Sequence, residues 1–367
     1  MAEKAIRLGG ESTADAIVSA VDAMYTEHTF AEKDFALKHN EDEISVDTNF
    51  AAQNFWKEAL IRFFNKKSAV LGLVLIVVIV LLAVLGPGMN SYTYSGQDLS
   101  QKNFAPRVPG IEQFGILDGS EKMSTTTGSK LVNSYVEKGK EDVYYWFGSD
   151  LYGRDIWTRT WEGARVSLII AVAAAIIDMV IGMSYGLISG YFGGRVDMVM
   201  QRFLEVANGI PRLVIVTLLL LVLQPGMVTI IFALMLTEWV GMSRIARAEM
   251  LKLKDQEFVL ASRTLGAGSF FIIFKEVLPN IIGPIITQVM FSIPTAIFTE
   301  AFLSFVGLGI PVPQCSLGSL ISELYNSFTT HPYQIIPPIV VMSLLMMSFN
   351  LVADGLREAL DPKMKSM

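Results

Sequence analysis

QEFVLASRTLGAGSFFIIFKEVLP, residues 256–279, lies between two long apolar runs and reads as two helical pieces joined by a hinge. The first half favours helix, Gly266 and Gly268 supply the hinge, an apolar run covers 270–274, and Leu278-Pro279 predicts a stop. Basic residues flank it. The expectation is a helix-turn-helix lying along a membrane surface, the shape of a docking element, with Pro279 ending it before the next apolar run.

Working outward, six apolar runs are long enough to approach the ~30 Å of a bilayer core. They are 69–85, 166–188, 203–223, 227–242, 281–307 and 335–353. The third is interrupted by Pro211 and Arg212. Across 367 residues, 52% are hydrophobic and 17% charged, so the chain reads as an all-α membrane protein with six transmembrane helices and a cytoplasmic coupling helix. The predicted organisation is an acidic tail (1–48), an interfacial amphipathic helix (49–68), a first span (69–85), an extracytoplasmic loop (86–150) and a core (151–360) holding five spans and a coupling loop (250–280). The interfacial helix rests on Phe55, Trp56, Ala59, Leu60, Phe63 and Phe64, which share one helical face.

Lys and Arg precede the first span, fill the second-to-third and fourth-to-fifth connections and follow the sixth span, whereas residues 224–226 and 310–334 have none. Cationic side chains are retained on the cytoplasmic side, which places both termini there. Arg154, Arg159 and Arg165 run against this pattern, but they follow a long loop, where charge bias has little authority. A net charge of −6 points away from nucleic acid.

Enzyme chemistry finds no footing. Gly139-Lys140 is followed by Glu141 and lacks the upstream glycine of a phosphate loop, Gly-x-Ser-x-Gly is absent, and a single cysteine, Cys315, excludes an internal disulfide. His28, His39 and His331 are scattered, so no metal site is expected. Asp178, Arg212, Glu238 and Glu300 fall inside spans, where a charge costs about 3 kcal/mol and needs a partner or water. Each either lines a pathway or pairs between helices; Pro294 is expected to break the fifth span near Glu300. Gly182, Gly186 and Gly190 form a ridge for close helix approach within one subunit or between two, and Met342, Met346 and Met347 offer an adaptable surface.

The quoted stretch resembles the cytoplasmic loop of bacterial ABC importer permeases. Ala261, Gly266, Leu278 and Pro279 match the family pattern, while Leu260, Ser262 and Glu276 replace its Glu, second Ala and Ile. FGSDLYGRDIWTRTWEGARVSL (147–168), FGGRVD (192–197), EAFLSFVGLG (300–309) and FNLVADGLREALDP (349–362) are similar to the dipeptide and oligopeptide (C-type) subfamily. The resemblance implies a permease in the bacterial cell membrane, paired with a homologous B-type permease, two ATP-binding subunits that hold ATP and Mg, and an extracytoplasmic peptide-binding protein. It also implies that Ala261, Ser262, Gly266, Leu278 and Pro279 couple the chain to the ATPases. Nickel or another small solute in place of peptide, or an ion-coupled transporter using Asp178 and Glu300, are the alternatives.

Overall fold

The computed structural model describes residues 55–125 and 128–360. The expected acidic tail (1–48), the first residues of the expected interfacial helix, and His28 and His39 lie outside this range.

Helix α1 (Phe55–Asn65) ends just before Lys66, and α2 (Lys67–Leu85) follows at once. Of the face expected to meet lipid, Ala59 and Phe63 are instead buried, Phe63 packing with Val352 and Ala359 of the last helix. Trp56, Leu60 and Phe64 remain exposed. Helix α3 (Ile156–Phe192) starts where the Asp155 side chain accepts the Thr158 amide at 2.8 Å, and contains a π turn at Asp178–Gly182. The third apolar run divides into α4 (Gly194–Gly209) and α5 (Arg212–Val222), bent by 79°. Pro211 has no amide hydrogen to continue the ladder and disfavours helical geometry at Ile210, so the expected continuous span at 203–223 becomes an angled pair.

Helix α6 (Met227–Leu253) runs well past the expected end at 242. A short helix α7 (Glu257–Thr264) is followed by α8 (Ser269–Leu308), α9 (Leu317–Tyr325) and α10 (Ile336–Leu360). Five of these helices are long and apolar enough to cross a membrane, and α4 with α5 makes a sixth when counted as one broken span.

Small residues set the packing. A Cβ at Gly182 would lie 2.5 Å from the Trp239 carbonyl oxygen, one at Gly186 2.1 Å from that of Ser243, and one at Gly190 2.8 Å from Met250 Cβ. The glycine ridge is therefore a contact within the chain, α3 against α6. Gly355 meets Ala69 in the same way, joining α10 to α2. Between these pairs, Ile170, Ala171 and Ala174 of α3 share a core with Ile293, Ala296 and Ile297 of α8 and Leu345 of α10. Met342 and Met346 pack against this core, leaving Met347 as the exposed member of that trio.

The connection from α2 to α3 holds the departure from an all-α reading. Strands β1 (Ser120–Thr125) and β2 (Gly128–Asn133) pair antiparallel, Ser120 opposite Asn133. Phe104, Tyr135 and Tyr145 form a small buried core there, and the Tyr135 hydroxyl donates to the Ala105 carbonyl at 2.8 Å. His331 and Glu121, 2.9 Å apart, tie this lobe to the segment between α9 and α10. This end of the bundle is called the loop end below, and the end bearing α7 the lever end.

Candidate functional site

At the lever end, α7 closes through its backbone. Gly266 has φ +85°, the Gly266 amide donates to the Arg263 carbonyl and the Ala267 amide to the Ser262 carbonyl, both at 3.0 Å. These paired bonds around a left-handed residue satisfy carbonyls that the helix end would otherwise leave open, and glycine takes that conformation without a Cβ clash. One side chain anchors the helix: Val259 is buried among Ile272, Ile273 and Val277. The Arg263 guanidinium lies 5.4 Å from the Tyr191 ring centre, tying α7 to the end of α3.

The rest of the lever faces outward. Leu265 is 87% exposed and Phe270 63%, and the Phe270 and Phe274 rings lie parallel with centres 6.5 Å apart. Ala261, Gly266 and Pro279 are exposed, Ser262 and Leu278 half-buried. The expected stop at Leu278-Pro279 is absent. A π turn at Ile272–Val277 leads directly into helix at Leu278–Leu303, with Pro279 in its first turn, so the second half of the loop is the start of α8 and not a surface helix. The wider π turn absorbs the missing amide hydrogen and gives the proline ring room against the preceding carbonyls. Pro294 likewise leaves α8 helical, and non-helical backbone comes only at Gly307, φ +87°.

Next to the lever, Arg247 of α6 donates two hydrogen bonds of 2.6 Å to the Asp197 carboxylate of α4, which also accepts from the Ser189 hydroxyl at 2.5 Å. One carboxylate thus joins α3, α4 and α6. FGGRVD marked Asp197 in the sequence, but its partner 50 residues away carries no motif.

At the loop end, Asp150 receives Arg154 Nε at 2.7 Å and Arg159 at 2.8 Å. Glu323 of α9 receives Arg159 at 2.7 Å and also binds Arg154. Burial alone would raise the Glu323 carboxyl, but the Arg159 and Arg154 guanidiniums outweigh it and hold it below the usual glutamate range. Asp155, buried beside them and bonded to Thr158 and Asn90, is pushed up by burial. Cys315 lies in the loop before α9 and is buried, its Sγ 3.5 Å from the Arg159 carbonyl oxygen. Arg165 caps α2 by donating to the Ala83 and Val84 carbonyls. The three arginines that ran against the charge pattern are therefore consumed by structure.

The family described as "Binding-protein-dependent transport system inner membrane component" matches residues 182–366, and the "N-terminal TM domain of oligopeptide transport permease C" matches residues 54–106. The oligopeptide transport system permease protein OppC of Bacillus subtilis is 41% identical over 85% of this chain and 91% of its own length. The dipeptide transport system permease proteins DppC of Bacillus subtilis and Lactococcus lactis are 38% and 40% identical, over 90% and 85% of this chain and 93% and 92% of their own lengths. The chain belongs to this family of inner-membrane permeases. A chain of the inward-facing MetNI methionine ABC transporter superposes with a TM-score of 0.47 at 16% identity, covering 54% of this chain and 94% of that one. The family match and the long apolar helices make the permease a multi-pass bacterial membrane protein.

Within the permease, Glu300 and Asp178 sit in different polar surroundings, and Glu238 lies near Asp178. Glu300 is fully buried and accepts hydrogen bonds from Ser316 Oγ at 2.5 Å, Ser304 Oγ at 2.7 Å and Ser167 Oγ at 3.2 Å. Asp178 opens the π turn of α3, is buried, and has one carboxylate oxygen without a partner; Ser292 and the Met242 amide face it, with Glu238 the nearby acid. Glu238 is half-buried within α6, between Thr237 and Trp239. Arg212 begins α5, and its side chain lies outside the described part of the structure.

Proposed function

We propose that this chain is the C-type permease subunit of an ATP-driven importer of oligopeptides or dipeptides. Together with a homologous B-type permease it forms the translocation pathway; two ATP-binding subunits, which hold the ATP and Mg, sit beneath α7, and an extracytoplasmic binding protein delivers peptide at the loop end. Both termini are then cytoplasmic, as the Lys and Arg distribution implies. The chain has no phosphate loop of its own and receives work mechanically.

The observation that carries this reading is the lever. Helix α7 is held to the bundle by Val259 and the Arg263 to Tyr191 contact, while Leu265 and Phe270 stay exposed. A short, well-capped helix with an apolar tip can follow a moving partner, and its π-turn junction passes that motion into the 40-residue helix α8. Ala261, Ser262 and Gly266 are the proposed contact residues, with Leu278 and Pro279 at the junction. The exposed Trp56, Leu60 and Phe64 of α1 continue the apolar surface of the first span and suit the lipid interface.

The test is reconstitution of the four-component complex with its binding protein. Peptide is expected to stimulate ATP turnover and to accumulate inside vesicles only with ATP. Stimulation by nickel and not by peptide overturns the substrate class; uptake by the isolated chain overturns the coupling scheme.

A further inference from the structure

Helix α9 is only nine residues long, yet it is bound at both ends. At its N-terminus, Ser316 and Ser319 exchange backbone-to-side-chain hydrogen bonds, 2.8 and 3.0 Å, and the Ser316 hydroxyl then reaches Glu300. The Leu317 amide donates to Ser167 Oγ at 3.1 Å, and Ser167 in turn donates to Glu300. Gly318 lies so close to α8 that a Cβ there would meet Ala301 Cα at 2.3 Å. At the other end stands Glu323 with its two arginines. Glu300 therefore ties together α3 through Ser167, α8 through Ser304 and α9 through Ser316.

The outward face of this assembly differs from that of α2. On α2, beyond Lys67 at its start, the exposed residues, Leu71, Val74, Val78 and Leu81 among them, are aliphatic, as suits lipid contact. On α8, Thr295, Phe298, Phe302 and Phe305 are exposed at alternating spacings of three and four, one helical face. That aromatic face continues onto α9: Phe305 and Tyr325 meet edge to face at 5.5 Å, and Tyr325 lies parallel to Phe328 at 6.5 Å. Seating α9 is what brings Tyr325 into line.

We propose that Glu300 is a positioning residue for transport: by gathering the Ser167, Ser304 and Ser316 hydroxyls it seats α9 so that Tyr325 extends the aromatic face of α8, forming a wall past which peptide moves. This rests on the peptide-importer reading. Aromatic rings interspersed with threonine accept both apolar side chains and peptide groups without demanding one sequence.

The test uses the full complex with Cys315→Ser, which removes the chain's own thiol. A Phe305→Cys, Tyr325→Cys pair reports the seating of α9 by its rate of oxidative cross-linking; uptake is measured separately, with both aromatic residues intact. Glu300→Ala strands three hydroxyls and is expected to slow cross-linking about tenfold and to lower peptide transported per ATP by a similar factor. Glu300→Gln keeps an acceptor oxygen and is expected to restore most of both. Where Glu300→Ala fails to assemble, Ser167→Ala with Ser316→Ala leaves the carboxylate and removes two donors, with the same expected outcome. Parental cross-linking in Glu300→Ala or in the double variant overturns the proposal. So does slower cross-linking with unchanged peptide per ATP, or a Glu300→Gln variant as defective as Glu300→Ala. Failure of the peptide reading is distinguishable: the parent complex then shows no peptide-stimulated ATP turnover, which overturns the wall, while cross-linking still decides the seating.

Discussion

The two ends of this permease handle polar and apolar groups in opposite ways. At the loop end, Arg159 and Glu300 are both 0% exposed, and each is surrounded by oppositely charged or hydrogen-bonding groups from the same chain. At the lever end, Leu265 is 87% exposed and Phe270 63%, with little among the described residues to cover them. A buried charge without partners is expensive, so it must be satisfied within the fold. An exposed apolar tip costs little in one chain and becomes useful when a second chain covers it. The end whose buried charges are paired within the chain is a frame, and the end with the exposed apolar tip is the one the proposed ATP-binding partners would cover.

The contrast breaks most visibly at Arg159. Arg159→Ala leaves Asp150 and Glu323 facing each other through Arg154 alone, and is expected to cost about 3–5 kcal/mol. Thermal unfolding of the purified complex checks this; a midpoint unchanged from the parent would mean the frame is not held by charge.

Packing between the ends comes next. Gly186→Leu drives a side chain into the Ser243 carbonyl, and is expected to destabilise by about 1–3 kcal/mol or more and to lower the yield of assembled complex. Gly241→Ala on the partner helix α6 meets nothing within 4 Å and serves as the control, expected to be neutral or slightly stabilising.

A pH titration sharpens the comparison. The folded-state pKa of Glu323 lies below its unfolded value, so its stabilisation is complete above the ordinary glutamate range near pH 4.3 and is lost as pH falls through the depressed value. Thermal stability is expected to drop on acidification below about pH 5, and Glu323→Gln to flatten that drop while lowering stability at neutral pH. A parental curve in Glu323→Gln would show that this pair does not set the acid limb.

The smallest effect on stability is expected at the lever. Leu265→Asp changes an exposed side chain, so the unfolding midpoint is expected to stay within about 0.5 kcal/mol of the parent while peptide-stimulated ATP turnover falls sharply. Full turnover in that variant would remove Leu265 from the contact.

Much of this was legible before any fold was known. The apolar runs at 69–85 and 335–353 correspond to α2 and α10, and the hinge at Gly266 is a left-handed helix terminator. Prolines were harder to read. Pro211 does break a span, but Pro279 and Pro294 do not, because a π turn and the surrounding helices accommodate them. Val259 and Leu265 gave no signal, since neighbouring apolar residues on a short helix look alike until one is buried and the other left outside.

Chain-local chemistry, then, was settled by the sequence: which segments prefer lipid to water, where only glycine fits the backbone, and which motifs mark a permease. Partnership was settled by the tertiary structure. Ser167 meets Glu300 across 133 residues and Arg159 meets Glu323 across 164, while Ser316 reaches Glu300 from 16 residues on, beyond a helix end. A hydrogen bond or ion pair depends on angstrom distances, and linear spacing reports those only within a helical turn or a strand pair.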